Sequence, residues 1–208
     1  VVGLARRKER VEALAKTLED APGNLYAVQT DISNEEDVVR AFEWIEKNVG
    51  AVSILVNNAG IIRGTNLIEG NTKMWKEILD TNVLGLCVAT REAIKSMRDN
   101  NIDGHIIHIN SVVGHKVPFL PQFNVYPASK HAVTALTETL RQELNSIKSK
   151  IKITSVSPGA TETEIIQATG MAIPKEIDDY IKANPNVLKA EDIADAVLYV
   201  LATPPHVQ

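Results

Sequence analysis

The run Ile106-Ile107-His108-Ile109-Asn110-Ser111, then a helical pattern at Val133, Leu136, Leu140 and Leu144, then Ile151-Lys152-Ile153-Thr154-Ser155-Val156, decides how this chain folds. Short, nearly continuous apolar runs of this kind read as strands buried on both faces. Residues three and four apart share one face of a helix, so the segment between the two runs is an amphipathic helix. Two strands joined by a helix lie parallel, connected by a right-handed crossover. Working outward, the same alternation recurs. Further strands are predicted at Val1-Val2, Leu25-Tyr26-Ala27-Val28 and Ile54-Leu55-Val56, and helical patterns at Val11, Leu14, Ala15 and Leu18 and at Val38, Val39, Phe42 and Ile45. The expected architecture is a single α/β domain over residues 1–208, a doubly wound parallel sheet with helices on both faces. Ser33 with Glu36 predicts a capping box before the helix at 38–45, and Pro127 suits a first helical turn. Residues 161–189, interrupted by Gly170, Pro174 and Pro185, are the least regular and are expected to form a lid or substrate loop.

Composition narrows the class. A chain of 208 residues, 44% hydrophobic, is long enough to bury roughly 70% of its unfolded surface in one domain. A net charge of −4 leaves no electrostatic footprint for nucleic acid. Cys87 cannot close an intrachain disulfide, and its apolar neighbours place it as a small buried core residue in a reducing compartment. No apolar run approaches the ~18 residues of a membrane span, so a soluble, cytoplasmic protein is expected. Because Val1-Val2-Gly3-Leu4-Ala5 is already an apolar run, the natural N-terminus is expected upstream, which leaves targeting open.

Several groups could carry chemistry. Tyr126 and Lys130, four apart on a helix, share a face, and an adjacent ammonium would lower a phenol pKa from about 10 so that Tyr126 could cycle protons. The same spacing also arises as an exposed helix pair. Ser111 ends the strand 106–110, where catalytic groups of parallel sheets gather, and could donate to the same substrate oxygen; it could equally tie down a loop. Asn57-Asn58-Ala59-Gly60 follows the strand at 54–56, and its small residues let backbone approach a ligand. Asn82 sits in an otherwise helical stretch, where a kink with water or a helix contact would satisfy its amide. Ser157-Pro158-Gly159-Ala160-Thr161-Glu162-Thr163 places flexible backbone and hydroxyls over the same sheet edge, or makes a plain turn capped by threonine. Arg6 and Arg7, with Lys8, follow the first strand, where nucleotide-binding folds read a ribose with an acid or a 2′-phosphate with arginine; no acid occupies that place. Asp31 could bond an adenine amino group or cap the next helix. No metal site is expected.

Asn57-Asn58-Ala59-Gly60, Asn82, Ser111, Tyr126 with Lys130, and Pro158-Gly159 together resemble the short-chain dehydrogenase/reductase family, in its order and at nearly its spacings. Arg141-Gln142-Glu143-Leu144 and the tail from Ala190 are most similar to the farnesol dehydrogenases of insects and a ketosteroid-reducing vertebrate branch. The resemblance implies a Rossmann-type fold and an NADP(H)-dependent oxidoreductase acting on an apolar alcohol, farnesol-like or a hydroxysteroid, or its carbonyl. It implies Tyr126 as acid/base, Ser111 orienting the substrate oxygen, Lys130 on the nicotinamide ribose, and Asn82 holding a water in a proton relay. Asn58, Ala59 and Gly60 would line the cofactor cleft, Asp31 and Ile32 would touch adenine, and Pro158, Gly159, Thr161 and Thr163 would border the nicotinamide. Arg6 and Arg7 would bind the 2′-phosphate. Phe119, Phe123, Val125, Ile165, Ile166 and Met171 flank the substrate side. The resemblance further implies a Thr-Gly-x-x-x-Gly-x-Gly turn on a strand before Val1, a last strand after Gln208, and a homodimer or homotetramer formed through helices 72–97 and 127–147. The contrasting expectation is a non-catalytic dinucleotide-binding relative of the same fold.

Overall fold

The computed structural model describes residues 1–118, 123–167 and 187–207. In chain order the elements are β1 (Val2–Ala5), α1 (Lys8–Thr17), β2 (Tyr26–Gln29), α2 (Glu35–Asn48), β3 (Ile54–Asn57), α3 (Thr72–Leu79), a π-helical turn (Asp80–Gly85) and α4 (Leu86–Asp99). There follow β4 (His105–Ile109), a 3-10 turn (Val112–Gly114), α5 (Val125–Ser146), β5 (Lys152–Val156), β6 (Thr161–Glu162), β7 (Leu188–Lys189) and α6 (Ala190–Leu201).

Every predicted strand is present, within a residue or two of its expected bounds except the first, which runs on to Ala5 rather than ending at Val2, and every pairing is parallel. The doubly wound parallel arrangement expected from the alternation is present, with its described strands in three hydrogen-bonded groups. β1 pairs with β2, β3-β4-β5 form a second sheet, and β6 pairs with β7. Among the described residues no strand bridges β1 and β3, so Ile54 and Val56 stay exposed on the β3 edge at 49% and 39%.

Side-chain alternation shows how the sheets are covered. Leu4 of β1 and Ile153 of β5 pack on a core built from Val38 and Phe42 of α2, Val88, Ala89, Ala93 and Met97 of α4, Ile106 of β4, and Leu140 and Leu144 of α5. The neighbours of those two strand residues point the other way. A Cβ on Gly3 would lie 2.7 Å from Val11 of α1, and the Lys152 Nζ donates to the Thr203 hydroxyl just beyond α6 at 3.0 Å. Thus α2, α4 and α5 cover one face while α1 and α6 lie over the other.

One helix start differs from expectation. The residue capping α2 is Asn34, whose side chain accepts from the Asp37 N–H at 3.1 Å, and not Ser33. Ser33 turns back instead, its N–H and hydroxyl both donating to Asp31 Oδ1 at 3.0 and 2.6 Å. Cys87, expected in the core, is half-buried in a groove between α4 and α5, and burial pushes its thiol pKa up. The segment 168–186, with Met171, and the segment 119–122, with Phe119, lie outside the described residues, and so does Gln208.

Candidate active site

Parallel register brings the carboxyl ends of three strands together. Asn57 of β3 stands opposite His108, and Ile109 of β4 opposite Val156. Asn58, Asn110-Ser111 and Ser157-Pro158 therefore leave the sheet side by side. Backbone bonds continue the alignment past the strands, from the Asn110 N–H to the Val156 carbonyl at 2.7 Å and from the Val112 N–H to the Pro158 carbonyl at 2.9 Å. Ser111 caps the 3-10 turn by accepting from the Val113 N–H at 3.3 Å, and its hydroxyl donates to the Pro158 carbonyl at 3.5 Å, beside the Tyr126 phenol whose pKa it helps to lower. The serine thus ties down the turn after β4 and also lines the cleft beside Tyr126.

Tyr126 and Lys130 enter from the first turns of α5. Asn124 caps that helix by accepting from the Val125 N–H and ties it to the Thr65 carbonyl through its amide nitrogen. Pro127 sits in the first turn, where no intrahelical donor is lost. Lys130 is buried, 6% exposed, with its Nζ donating to the Ile109 carbonyl at 2.9 Å and standing 5.9 Å from the centre of the Tyr126 ring. The Phe123 ring packs edge-on against Tyr126 at 6.4 Å.

The electrostatics differ from the simple pairing argument. Burial pushes the Tyr126 phenol up from its ordinary value, and the Ser111 hydrogen bond offsets only part of that. The lysine does not pull the phenol down as expected, because desolvation disfavours the phenolate and its own ammonium is spent on a backbone carbonyl. The same burial lowers Lys130 to about 8. At neutral pH the pair is thus a neutral phenol beside a mostly charged amine, a proton donor next to a cation that can restore it.

Asn82 lies in the π-helical turn, 2% exposed. Its Oδ1 accepts from the Ile61 N–H at 2.8 Å, and its Nδ2 donates to the Ile61 carbonyl at 3.0 Å and to Ser129 Oγ at 3.1 Å. Ser129 in turn donates to the Tyr126 carbonyl at 2.7 Å. The amide therefore fastens the loop after β3 to the turn of α5 that carries Tyr126 and Lys130, and both of its N–H groups are used in doing so.

A cleft of about 900 Å³ runs across these strand ends. Its walls unite Arg6, Arg7, Asn58, Gly60, Ser111, Tyr126, Lys130, Pro158, Gly159, Thr161 and Thr163. Gly60 forms floor rather than filler, since a Cβ there would stand 3.7 Å from Asn82 Oδ1 and 3.8 Å from Lys130 Nζ, while at Gly159 it would meet open space. Four predicted residues are not in the walls. Asn82 lies behind Gly60, and Ala59 is exposed but does not line the cleft. Asp31 is engaged by Ser33, which with Arg6 holds its carboxyl below the usual range, and Ile32 packs on the core and against Gly85. Of the expected substrate-side residues, Ile165 joins Ile193, Val197 and Leu198 of α6 in an apolar wall, whereas Phe123 is spent on the Tyr126 ring.

Two cleft-lining residues escaped the sequence reading. Glu164 meets Arg7 at 3.5 Å and Arg10 at 2.7 Å, bridging positions more than 150 residues apart, and no local pattern signals that. Asn110 lines the cleft with its Oδ1 buried and without a hydrogen-bond partner, and its place just before Ser111 was the available signal. Guanidinium groups at one end, and hydroxyls and an ammonium beside an unpartnered amide oxygen acceptor at the other, form a donor and acceptor set of the kind that suits a nicotinamide dinucleotide.

The family model described as short chain dehydrogenase matches residues 1–172. The chain belongs to the short-chain dehydrogenase family. This short-chain dehydrogenase is 55% identical to a farnesol dehydrogenase of Aedes aegypti over 210 residues, with all of this chain and 82% of the relative covered. It is 45% identical to dehydrogenase/reductase SDR family member 11 of Bos taurus over 211 residues, again covering the whole chain and 82% of the relative. Among solved structures, the closed form of a serine dehydrogenase complexed with NADP+ superposes with a TM-score of 0.81 at 29% identity, covering 100% of this chain and 81% of that one. A Burkholderia phymatum family member in complex with NAD does so at 0.76 and 30% identity, covering 85% and 62%. This chain is therefore an oxidoreductase fold of the Rossmann type, and no helix among its described residues is long and apolar enough to cross a membrane.

Proposed function

We propose that this short-chain dehydrogenase interconverts an apolar alcohol, farnesol-like or a hydroxysteroid, and its aldehyde or ketone, with NADP(H) as the hydride carrier. The observation that carries the reading is the convergence of the Ser111 hydroxyl, the Tyr126 phenol and the buried Lys130 ammonium in the wall of one cleft. The bound nicotinamide supplies or accepts the hydride. Arg6 and Arg7 would hold the 2′-phosphate; Asn58, Gly60, Pro158, Gly159, Thr161 and Thr163 would line the cofactor's path, and Lys130 would meet the ribose next to the nicotinamide. The serine dehydrogenase bound to NADP+ supports that choice of nucleotide.

In the reducing direction Ser111 Oγ and the Tyr126 hydroxyl both face the substrate oxygen, holding it where negative charge develops as the carbonyl carbon gains hydride. Tyr126 gives its proton to that oxygen, so the C=O bond becomes C–OH. The phenolate left behind, disfavoured by its burial, takes a proton back from the Lys130 ammonium, whose own pKa burial lowers to about 8. Oxidation runs the same steps backward. Asn82 acts through others, since its amide sets the distance between the Gly60-Ile61 backbone and the turn bearing Tyr126. The apolar wall of Ile165, Ile193, Val197 and Leu198 supports a hydrocarbon-rich substrate, as does the name of the Aedes aegypti relative. Self-association through α4 and α5 belongs to the same reading, supported by the groove between them with Leu86, Ile94, Leu136 and Leu140 in its walls.

The test is a turnover panel of farnesol, hydroxysteroids and short polar alcohols with NADP+ and NAD+. Turnover of the apolar alcohols with NADP+ at the highest kcat/KM is expected. A preference for short polar alcohols would overturn the substrate assignment, and a preference for NAD+ the cofactor assignment.

A further inference from the structure

The cleft's arginine end already holds an anion of its own. Glu164 Oε2 accepts from Arg10 Nη1 at 2.7 Å and lies 3.5 Å from Arg7 Nη2, so one carboxylate oxygen answers two guanidiniums. Arg7 and Glu164 both line the cleft, while Arg10 stands one turn further along α1. We infer that Glu164 is a built-in competitor for the ribose 2′-phosphate of the cofactor, holding Arg7 and Arg10 until that phosphate displaces it. The inference rests on the proposed use of NADP(H), and it adds Arg10 and Glu164 as residues that set the preference between NADP(H) and NAD(H).

The physical case is one of unequal anions on the same cations. Two guanidiniums a turn apart repel each other, and a carboxylate between them relieves that repulsion in the free protein. The carboxylate carries one charge and its side chain is 63% exposed, so its hold is weak. A phosphate monoester brings nearly twice the charge and three acceptor oxygens, matched to the fork of each arginine. Phosphate therefore wins, but only after Glu164 has been moved aside. That cost falls on the 2′-phosphorylated nucleotide alone, because NAD(H) brings no anion to this end of the cleft. Glu164 thus narrows the discrimination that the arginines would otherwise impose. Its displacement also frees the tie between α1 and the short segment 161–167 that follows β5, part of the cleft wall.

The experiment is equilibrium binding of NADP+ and of NAD+, by calorimetry or quenching of tryptophan fluorescence, to wild type, E164Q, R10Q and the double variant. E164Q keeps the shape of an exposed side chain, so the fold is untouched. It is expected to tighten NADP+ about two- to fivefold, the range of an exposed ion pair, and to leave NAD+ unchanged. R10Q weakens NADP+, and in the double variant the gain from E164Q disappears. Unchanged or weakened NADP+ binding in E164Q, or an equal gain for both nucleotides, overturns the inference. If wild type prefers NADP+ while E164Q leaves the ratio unaltered, only the competitor role fails. If wild type binds the two nucleotides equally, the cofactor assignment itself fails and the competitor role falls with it.

Discussion

Acidification should unfold this protein through one histidine. His108, in the middle of β4, is 1% exposed and has its pKa lowered to about 4 by burial and by the nearby Lys130. Its surroundings fix its neutral tautomer. The Thr137 hydroxyl donates to the Val133 carbonyl at 2.7 Å, so its oxygen can only accept from His108 Nδ1, 3.0 Å away. Nε2 is then the acceptor for the Thr90 hydroxyl at 3.4 Å, and Thr90 accepts from Asn57 Nδ2 at 2.9 Å. A second proton on the ring would break this chain. The folded pKa lies below the unfolded value of 6.5, so the stabilisation is complete above 6.5 and is lost as pH falls through about 4. Between pH 7.5 and 5.0 that linkage amounts to about 2 kcal/mol, or roughly 4–8 °C in Tm for a chain of this size. The assay is urea unfolding at both pH values in wild type and in His108→Gln, which cannot titrate. His105 is shifted down by burial and contributes with the same sign to both proteins, so it cancels in the difference. Equal pH dependence in the two proteins would refute the reasoning.

Other outcomes follow from the same geometry. Asn82→Leu leaves the Ile61 N–H and carbonyl without their partners and should cost about 2–4 kcal/mol in urea unfolding. Gly85→Ala places a Cβ 2.4 Å from the Ile32 carbonyl oxygen, a backbone atom that cannot easily yield, and should lower stability by about 1–3 kcal/mol in the same assay. The Lys130 side chain should titrate near 8 when followed by nitrogen NMR, since burial is the cause, and a titration at the ordinary lysine value would contradict this.

Much of the fold could be read locally. The strands 106–110 and 151–156 declared themselves as apolar runs, and the helix between them by its period, because both signals come from neighbours in the chain. Where several neighbours offered the same group, the local reading slipped. Asp31-Ile32-Ser33-Asn34 presents three capping side chains in four residues, and the one chosen, Asn34, depends on Ser33 being drawn to Asp31. Asn82 was legible as an anomaly in a helix, but the π-helical turn around it answers to the backbone of Ile61, 21 residues away. Tyr126 and Lys130 were legible as a pair. The direction of the phenol shift was not, since it is set by burial under distant elements rather than by the lysine four residues on. The His108 network and the Glu164 bridge are long-range facts with no local signature.

The central claim is that the Tyr126 proton moves in step with hydride transfer. Pre-steady-state hydride transfer, followed by NADPH absorbance in wild type and Tyr126→Phe with an apolar carbonyl substrate, tests it most directly. The account predicts a rate reduced about 10²–10⁴-fold with NADPH affinity unchanged. A Tyr126→Phe rate within a few-fold of wild type would contradict it.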